Sequence, residues 1–385
     1  MTGTAETYEF KSEARQLLHL MINSVYSTRD VFLRELLSNS SDALDKLRFQ
    51  GLTDANLLSG AGELEIRVEA DAEARTLAIV DNGIGMTRDE VVSNLGTIAR
   101  SGTREFIEKS AEAEGKDSVE ALIGQFGVGF YSAFMVAEEV RVITRRAGED
   151  GATLWISKGD GDFTVQDDTR ECAGTTVMLY LRPADPENDL LDFTDNFNIR
   201  KTIKRYSDFV TYPIRLKTEV EQPELDDEGK PVEGGESTKE ITWPTINSMK
   251  AIWMRSDDEV EDSDYAEFYR HVSGDWGEPM HRVRFHAEGM FEYRALLFVP
   301  ERTPFDLFYR DVKYGLQLYV NRVMIMDRCE ELLPPYLRFV RGVVDSPDLT
   351  LNVSRELLQQ DRRVAQIRKR VVKKLLDSFT DLLAE

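Results

Sequence analysis

DVFLRELLSNSSDALDKLRF, Asp30 to Phe49, decides how the rest of this chain is read. At about 100° per residue, Phe32, Leu33, Leu36, Leu37, Ala43, Leu44 and Leu47 form one broad apolar arc of a helix. Arg34, Ser38, Ser41, Asp45 and Arg48 fall on the opposite side, the face expected in water. Glu35, Asn39, Asp42 and Lys46 fall on neither. Spacings of four, three and four set them in one line along the rim of the apolar arc. A carboxylate, an amide, a second carboxylate and an ammonium in that line suit the wall of a polar pocket. They equally suit a solvated flank of loose ion pairs, so neighbouring segments have to decide.

The chain has 385 residues, enough for two or more domains with real cores. Hydrophobic residues make up 41% and charged residues 31%, as in a soluble protein with a busy surface. Net charge is −22 and the isoelectric point about 4.8. Such a chain is repelled by nucleic acid unless a local basic patch overrides the field, and no long basic run occurs. Cys172 and Cys329 stand far apart, against both a disulfide framework and a zinc site. The opening MTGTAETYEFKSEARQ has no apolar signal core. No apolar segment approaches the roughly 20 residues that span a bilayer. A cytoplasmic protein without membrane or nucleic-acid partners is the simplest expectation.

Patterning suggests an α+β sandwich in the first part of the chain, with helices on one sheet face. Ser12–Val25 reads as a helix, as does Gly129–Ala137; Glu63–Glu69, Thr76–Val80, Val140–Arg145, Thr153–Ser157 and Thr175–Leu181 read as strands. Glu219–Lys239 contains no aromatic residue and is rich in Glu, Asp, Gly and Pro, the composition of an acidic flexible linker or long exposed loop. Beyond it, Arg282–Val299 and Tyr314–Met326 read as strands, and the chain from Ser354 onward as a helix.

Two glycine-bearing segments carry the chemistry. DNGIGM, Asp81–Met86, follows a buried strand, and Gly83 and Gly85 let a flat ligand approach the backbone. LIGQFGVGFYSAF, Leu122–Phe134, sets Gly124, Gly127 and Gly129 before an apolar helix, where free N–H groups favour phosphate oxygens. The second segment is neither a Walker A loop nor a dinucleotide fingerprint. A tight turn and a loop hinge are the plainer readings of the two. The stretch between them, polar and flanked by Gly102 and Gly124, has the make-up of a lid.

FLRELLSNSSDALDKLR, DNGIGM, SNLGTIARSGT, GQFGVGFYSAFMVA and GTTVMLYL follow one another in this order. INSMKAIW, LQLYVNRVMIMD and LLPPYLRFVRGVVDSPDLTLNVSRELLQQ follow in the second half. Together they strongly resemble the ninety-kilodalton heat-shock chaperone family, its bacterial HtpG branch most closely, over nearly the whole chain. The combination, above all DSPDLTLNVSRE, separates that family from the gyrase, mismatch-repair and histidine-kinase ATPases that share single motifs.

The resemblance implies a Bergerat-type (GHKL) ATP-binding α/β sandwich followed by an α/β middle domain. It implies ATP, ADP and Mg²⁺ as ligands. Glu35 matches the general base that activates water, and Asn39 the amide that holds Mg²⁺. Asp42 matches a polar wall residue. Asp81 corresponds to the acid that accepts from the adenine amino group, with Gly83 in the same turn. Met86 would pack on the base, Asn94 would face the ribose or phosphates, and Thr175 would bond near the purine. Gly127, Gly129 and Phe130 match the phosphate side. Arg100 stands where many relatives carry Lys, which keeps the charge and changes its geometry. Arg355 matches the residue that reaches the γ-phosphate like an arginine finger, with Gln359 one turn later.

The domains expected on this basis are a nucleotide domain over 1–218 with a lid at about 95–125, a linker over 219–240, and the first part of a middle domain over 241–385. Family members continue into a C-terminal dimerisation domain, so the chain reads as a truncated form: a weak ATPase, largely monomeric, where the longer protein is a homodimer acting on client proteins. Trp253 and Trp276 read as half-exposed places for such clients, or as core residues. The rivals are a nucleotide-gated scaffold without turnover and a DNA-acting ATPase with the same pocket, the latter disfavoured by the net charge of −22. His19, His271, His281 and His286 lie in no recognisable kinase dimerisation helix.

Overall fold

Val31–Thr53 winds into α1, the helix around which the first half of the molecule is assembled. The computed structural model of the protein describes residues 26, 28–58, 60–97, 103, 127–222, 238–289, 291–304, 307–309, 313–349 and 362–384. The helix expected over Ser12–Val25, most of the lid, and the segment from Ser354 to Asp361 lie outside the described residues.

The apolar arc of α1 packs on a seven-stranded sheet. Its strands are β1 (Ile66–Asp71), β2 (Thr76–Asp81), β3 (Ala137–Arg145), β4 (Ala152–Ser157), β5 (Phe163–Asp168), β6 (Gly174–Leu181) and β7 (Ile214–Leu216). They lie in the order β5-β4-β3-β6-β2-β1-β7, antiparallel throughout except for the parallel β1–β7 pair. Alternate residues face the helix: Ile66 and Val68, Leu77 and Ile79, Val140 and Val142 share one core with Phe32, Leu33, Leu36, Leu37 and Leu44 of α1. That parity, continued two residues, turns Asp81 toward α1 at the last position of β2. Thr87, with Glu90, forms a capping box that starts the short helix α2 (Arg88–Leu95). α3 (Asn196–Tyr206) adds Ile199 and Ile203 to the core.

Gly129–Met135 is a 3₁₀ helix, where an α-helix was expected over Gly129–Ala137. Its amides bond three residues back, Tyr131 to Val128 at 3.1 Å, the tighter winding that suits a short link between α1 and β3. The face of α1 expected in water is a second departure. Arg34, Ser38 and Ser41 are 1%, 0% and 4% exposed, while Arg48 faces water as expected. The Tyr206 ring from α3 lies 5.7 Å from the Arg34 guanidinium carbon and helps cover this face. Serine side chains are small enough to let neighbouring elements close in.

The two ends of the acidic stretch read as a linker are paired. β8 (Thr218–Gln222) and β9 (Thr238–Thr242) form an antiparallel ladder running from Thr218↔Thr242 to Gln222↔Thr238. The second sheet orders β10 (Pro279–Ala287), β11 (Tyr293–Pro300), β12 (Leu316–Val320), β13 (Val323–Cys329) and β14 (Arg341–Asp345) as β10-β11-β14-β12-β13. Leu296 and Phe298 face α4 (Asp262–Ser273), and Ala295 and Leu297 face α5 (Arg362–Ala384), so this sheet is a filled sandwich between two helices.

The two cores meet along 206–214 and 246–253. Tyr206 and Phe209 join the aromatic cluster of Trp253, Phe268 and Tyr319, whereas Ile246 packs into the first core. Trp253 is therefore a core residue, 1% exposed, with its indole N–H donated to Asp345 at 2.9 Å; Trp276 is 91% exposed. Buried Asn247 staples the crossing. Its amide oxygen accepts from Ile214 N–H at 2.8 Å, and its nitrogen donates to the carbonyls of Val210 and Tyr212 at 3.0 and 2.9 Å. Truncation leaves those buried groups unpaired, so Asn247→Ala is expected to destabilise the protein by about 2 kcal/mol or more, read as a fall in urea midpoint against wild type.

Candidate functional site

The polar line of α1 is met by the Gly83 turn, by the Gly129 segment and by Thr103. Glu35 is 1% exposed, and its Oε1 accepts from Arg34 Nε and Nη2 at 3.1 and 2.9 Å. Adjacent residues on a helix point about 100° apart, so this pair exists only because both flanks are covered and the guanidinium folds back. Ser38 donates to the Arg34 carbonyl at 2.8 Å. Asn39 is half-buried between Glu35 and Asp42. Three turns on from Glu35, Lys46 donates to the Thr103 hydroxyl at 2.7 Å, and that hydroxyl reaches Asp42 Oδ2 at 3.4 Å. Burial lowers the Lys46 pKa, opposed by the Asp42 charge. Thr103, a described residue of the expected lid, is thus held by two of the four polar positions read from the helix.

The turn after β2 closes the far end. Ile84 N–H donates to the Ala43 carbonyl at 3.0 Å, which presses the turn onto α1. A Cβ on Gly83 would lie 2.6 Å from the Ala43 carbonyl carbon, and one on Gly85, at φ +64°, would lie 1.9 Å from the Arg145 carbonyl oxygen. Only glycine fits either place. Asp81 Oδ1 accepts from Gly83 N–H at 2.9 Å and Thr175 N–H at 3.2 Å, and Ser40 of α1 also donates to the carboxylate. Burial nevertheless raises its pKa to about 6, against the pull of these donors and of the Arg170 charge. Thr144 knits the same corner: it accepts from Met86 N–H at 3.0 Å, lies 3.0 Å from the Thr175 hydroxyl, and donates to the Gly174 carbonyl at 3.2 Å. Met86 is half-buried against the core.

The second glycine segment meets α1 at its other end. A Cβ on Gly129 would lie 2.4 Å from Glu35 Oε2, so glycine is needed for the segment to approach the carboxylate. Gly127 takes the left-handed conformation at φ +66°. The Phe130 ring packs edge-on against Trp155 at 5.5 Å, which leaves its main chain as the part free to face a ligand. Tyr131 donates to the Leu95 carbonyl at 3.0 Å, tying this segment to α2, where half-buried Asn94 sits.

The structure therefore gathers Glu35, Asn39, Asp42, Asp81, Gly83, Met86, Asn94, Gly127, Gly129, Phe130 and Thr175 around α1. Arg100, Arg355 and Gln359 lie outside the described residues. Arg34 bonds to Glu35, Ser40 and Arg170 to Asp81, and Thr144 lies against Thr175; these four were not singled out from the sequence. For the first two the signal was the run of small residues Ser38–Ser41, which admits close packing on a face that otherwise looks solvated. Thr144 and Arg170 are ordinary strand and turn residues whose neighbours only the fold supplies. Among the described residues no three His, Cys, Asp or Glu converge as a metal site. The oxygen set around Asn39 thus fits Mg²⁺ only as a partner of bound phosphate, with one or two protein ligands.

A helix carrying an acid and an amide, a buried acid at the end of a strand, and two glycine segments pressed on that helix define the histidine kinase-, DNA gyrase B- and HSP90-like ATPase fold. Residues 26–170 match the family described in those words, and residues 217–385 match the Hsp90 protein family. The chain belongs to the Hsp90 family. It is 51% identical over 391 residues to the chaperone protein HtpG of Mycolicibacterium vanbaalenii, covering 100% of this chain and 59% of that protein. It is 54% identical over 379 residues to the chaperone protein HtpG of Streptomyces coelicolor, covering 98% of this chain and 58% of that one. The chain thus spans less than two thirds of the length of these relatives. Among the described residues no helix is long and apolar enough to cross a membrane.

Two outcomes follow from the buried charges. Arg34→Met removes the guanidinium charge beside the buried Glu35 carboxylate and is expected to destabilise the protein by about 3 kcal/mol, measured by denaturant unfolding; Arg34→Met with Glu35→Gln should recover most of that loss. The folded protein holds the Asp81 proton more tightly than the unfolded chain does. This group's contribution is therefore fully present below about pH 4 and is lost as pH rises through about 6, a change on the order of 3 kcal/mol. Without nucleotide, Asp81→Asn should flatten that part of the stability–pH curve.

Proposed function

We propose that this chain binds ATP between α1, the Asp81 turn and the Gly127–Gly129 segment, and that the protein hydrolyses it slowly as an ATP-dependent chaperone. One observation carries the reading: the two glycine segments press on α1 at Ala43 and at Glu35. Eight residues of helix separate these points by about 12 Å, a span suited to a base at one end and a terminal phosphate at the other.

At the base end the ionised Asp81 accepts from the adenine amino group, Met86 lies beside the ring, and Gly83 and Gly85 let the turn that carries them lie close against Ala43 and Arg145. Thr175 and Thr144 offer hydroxyls on the same side. At the phosphate end, Gly127, Gly129 and the Phe130 main chain face the phosphates. Asn39 would hold Mg²⁺, which would supply neutralisation of phosphate charge. Asn94 faces the ribose or phosphates. Asp42 supports the wall and, with Lys46, engages Thr103 of the lid.

Glu35 is the general base. Arg34 fixes Oε1 and the Gly129 contact leaves Oε2 toward the phosphate end. Water attacks the γ-phosphorus, its proton passes to the Glu35 carboxylate, and the bond to the β-bridging oxygen breaks. Arg355 keeps the γ-phosphate role that the resemblance gives it, Gln359 shares its face, and Arg100 keeps the positive charge of the family's Lys. The division into a nucleotide domain to 218, a connecting segment over 219–240 and a middle domain from 241 belongs to the same proposal. So do a cytoplasmic location, homodimerisation of the longer protein and unfolded client proteins as its partners.

Glu35→Ala separates an ATPase from a nucleotide-gated scaffold. ADP affinity by calorimetry should stay within about threefold of wild type while phosphate release falls about 100-fold or more; unchanged release would refute the general-base role. Asp81→Asn should abolish measurable ADP binding.

A further inference from the structure

We propose that Arg170 is the positioning residue for the purine end of this cleft and sets its preference for a 6-amino over a 6-oxo purine. This rests on the adenine-nucleotide reading above and adds to it a residue that no motif of the sequence contains.

Arg170 lies in the turn between β5 and β6, outside the cleft's own lining. Its guanidinium fork holds three points at once. Nη2 donates to the Asp81 main-chain carbonyl at 2.8 Å, Nη1 donates to the Thr176 hydroxyl, and Nε donates to the Cys172 carbonyl at 3.0 Å. Asp81 and Thr175 are register partners on β2 and β6. The fork therefore clamps the two strands beside the pair that forms the base acceptor. A planar, five-donor group is suited to this and a lysine is not.

The same guanidinium is the charged group that faces Asp81 most directly. The other neighbours of the carboxylate are the Gly83 and Thr175 amides and the Ser40 hydroxyl. Asp42 and Lys46, further along α1, engage each other through Thr103, and Arg145 of β3 acts on Arg170 from beyond it. Burial pushes the carboxyl toward its neutral form and the Arg170 charge opposes that push.

The protonation state decides what the acceptor reads. An ionised carboxylate only accepts, so it pairs with the N–H of a 6-amino group; a protonated carboxyl can donate to a 6-oxo group. Arg170, by holding Asp81 ionised and in place, keeps the site selective for adenine near neutral pH. Without the charge, the crossover moves to higher pH.

The test is calorimetry of ADP and inosine diphosphate binding from roughly pH 5 to pH 8, on wild type, Arg170→Met and Arg170→Lys. For Arg170→Met we expect ADP affinity at neutral pH to fall about tenfold, its pH midpoint to rise by about one unit, and the ADP-to-inosine diphosphate ratio to fall about tenfold. Arg170→Lys should restore the midpoint while recovering only part of the affinity. Equal losses for both nucleotides with an unmoved midpoint would reduce Arg170 to a structural clamp and overturn the proposal. Should Arg170→Met fail to fold, Thr176→Val, which removes one arm of the fork, must shift the ratio in the same direction; no shift overturns the proposal. A wild-type protein that binds neither nucleotide refutes the nucleotide reading itself, whereas wild-type binding with an unchanged Arg170→Met profile refutes this inference alone.

Discussion

An ion pair buried inside one helix governs the first half of the molecule. Glu35 and Arg34 are both 1% exposed, so α1 must be covered on the sheet side, on its polar rim and on the flank that carries Arg34. Charges are held in such a place only when each satisfies the other. With the pair formed, the helix can lie in the middle of the structure and still present carboxylates and an amide to a cleft. The sheet, α3 and the 129–135 segment are arranged around that requirement.

The cleft is built by bringing backbone close to this helix at two points. Glycine makes both approaches possible, at Gly83 against Ala43 and at Gly129 against Glu35. Between them the wall is made of polar side chains from one helix face, so their relative positions are fixed by helix geometry rather than by loops. Asp81 is fixed differently, by strand parity and by amide donors from its own turn and from β6. A rigid acceptor on a strand end and a rigid wall on a helix give a pocket whose two ends cannot drift apart independently. The second sheet is joined to this assembly through a shared seam, where Tyr206, Phe209 and Trp253 pack together and Asn247 ties the crossing strands of chain. Movement at either side of that seam has a packed path to the Arg34 flank through Tyr206.

The sequence by itself determined the helix over Asp30–Phe49, the alternation of most strands, the glycine segments and the line Glu35–Asn39–Asp42–Lys46, because periodicity fixes which residues share a face. It also carried the family resemblance, since ordered motifs survive without coordinates. It did not determine what lies opposite each face. Arg34, Ser38 and Ser41 looked solvated by angle alone and are buried, with Tyr206 of α3 lying over Arg34, and Trp253 proved to be core rather than surface. The ladder between β8 and β9 joins ends separated by a stretch whose composition reads as a loop, and β5 and β7 take their identity from neighbours across the sheet. Thr144 and Arg170 reach the Asp81 corner from distant parts of the chain, and contacts of that kind arise from strand order and register, which only the tertiary structure decided.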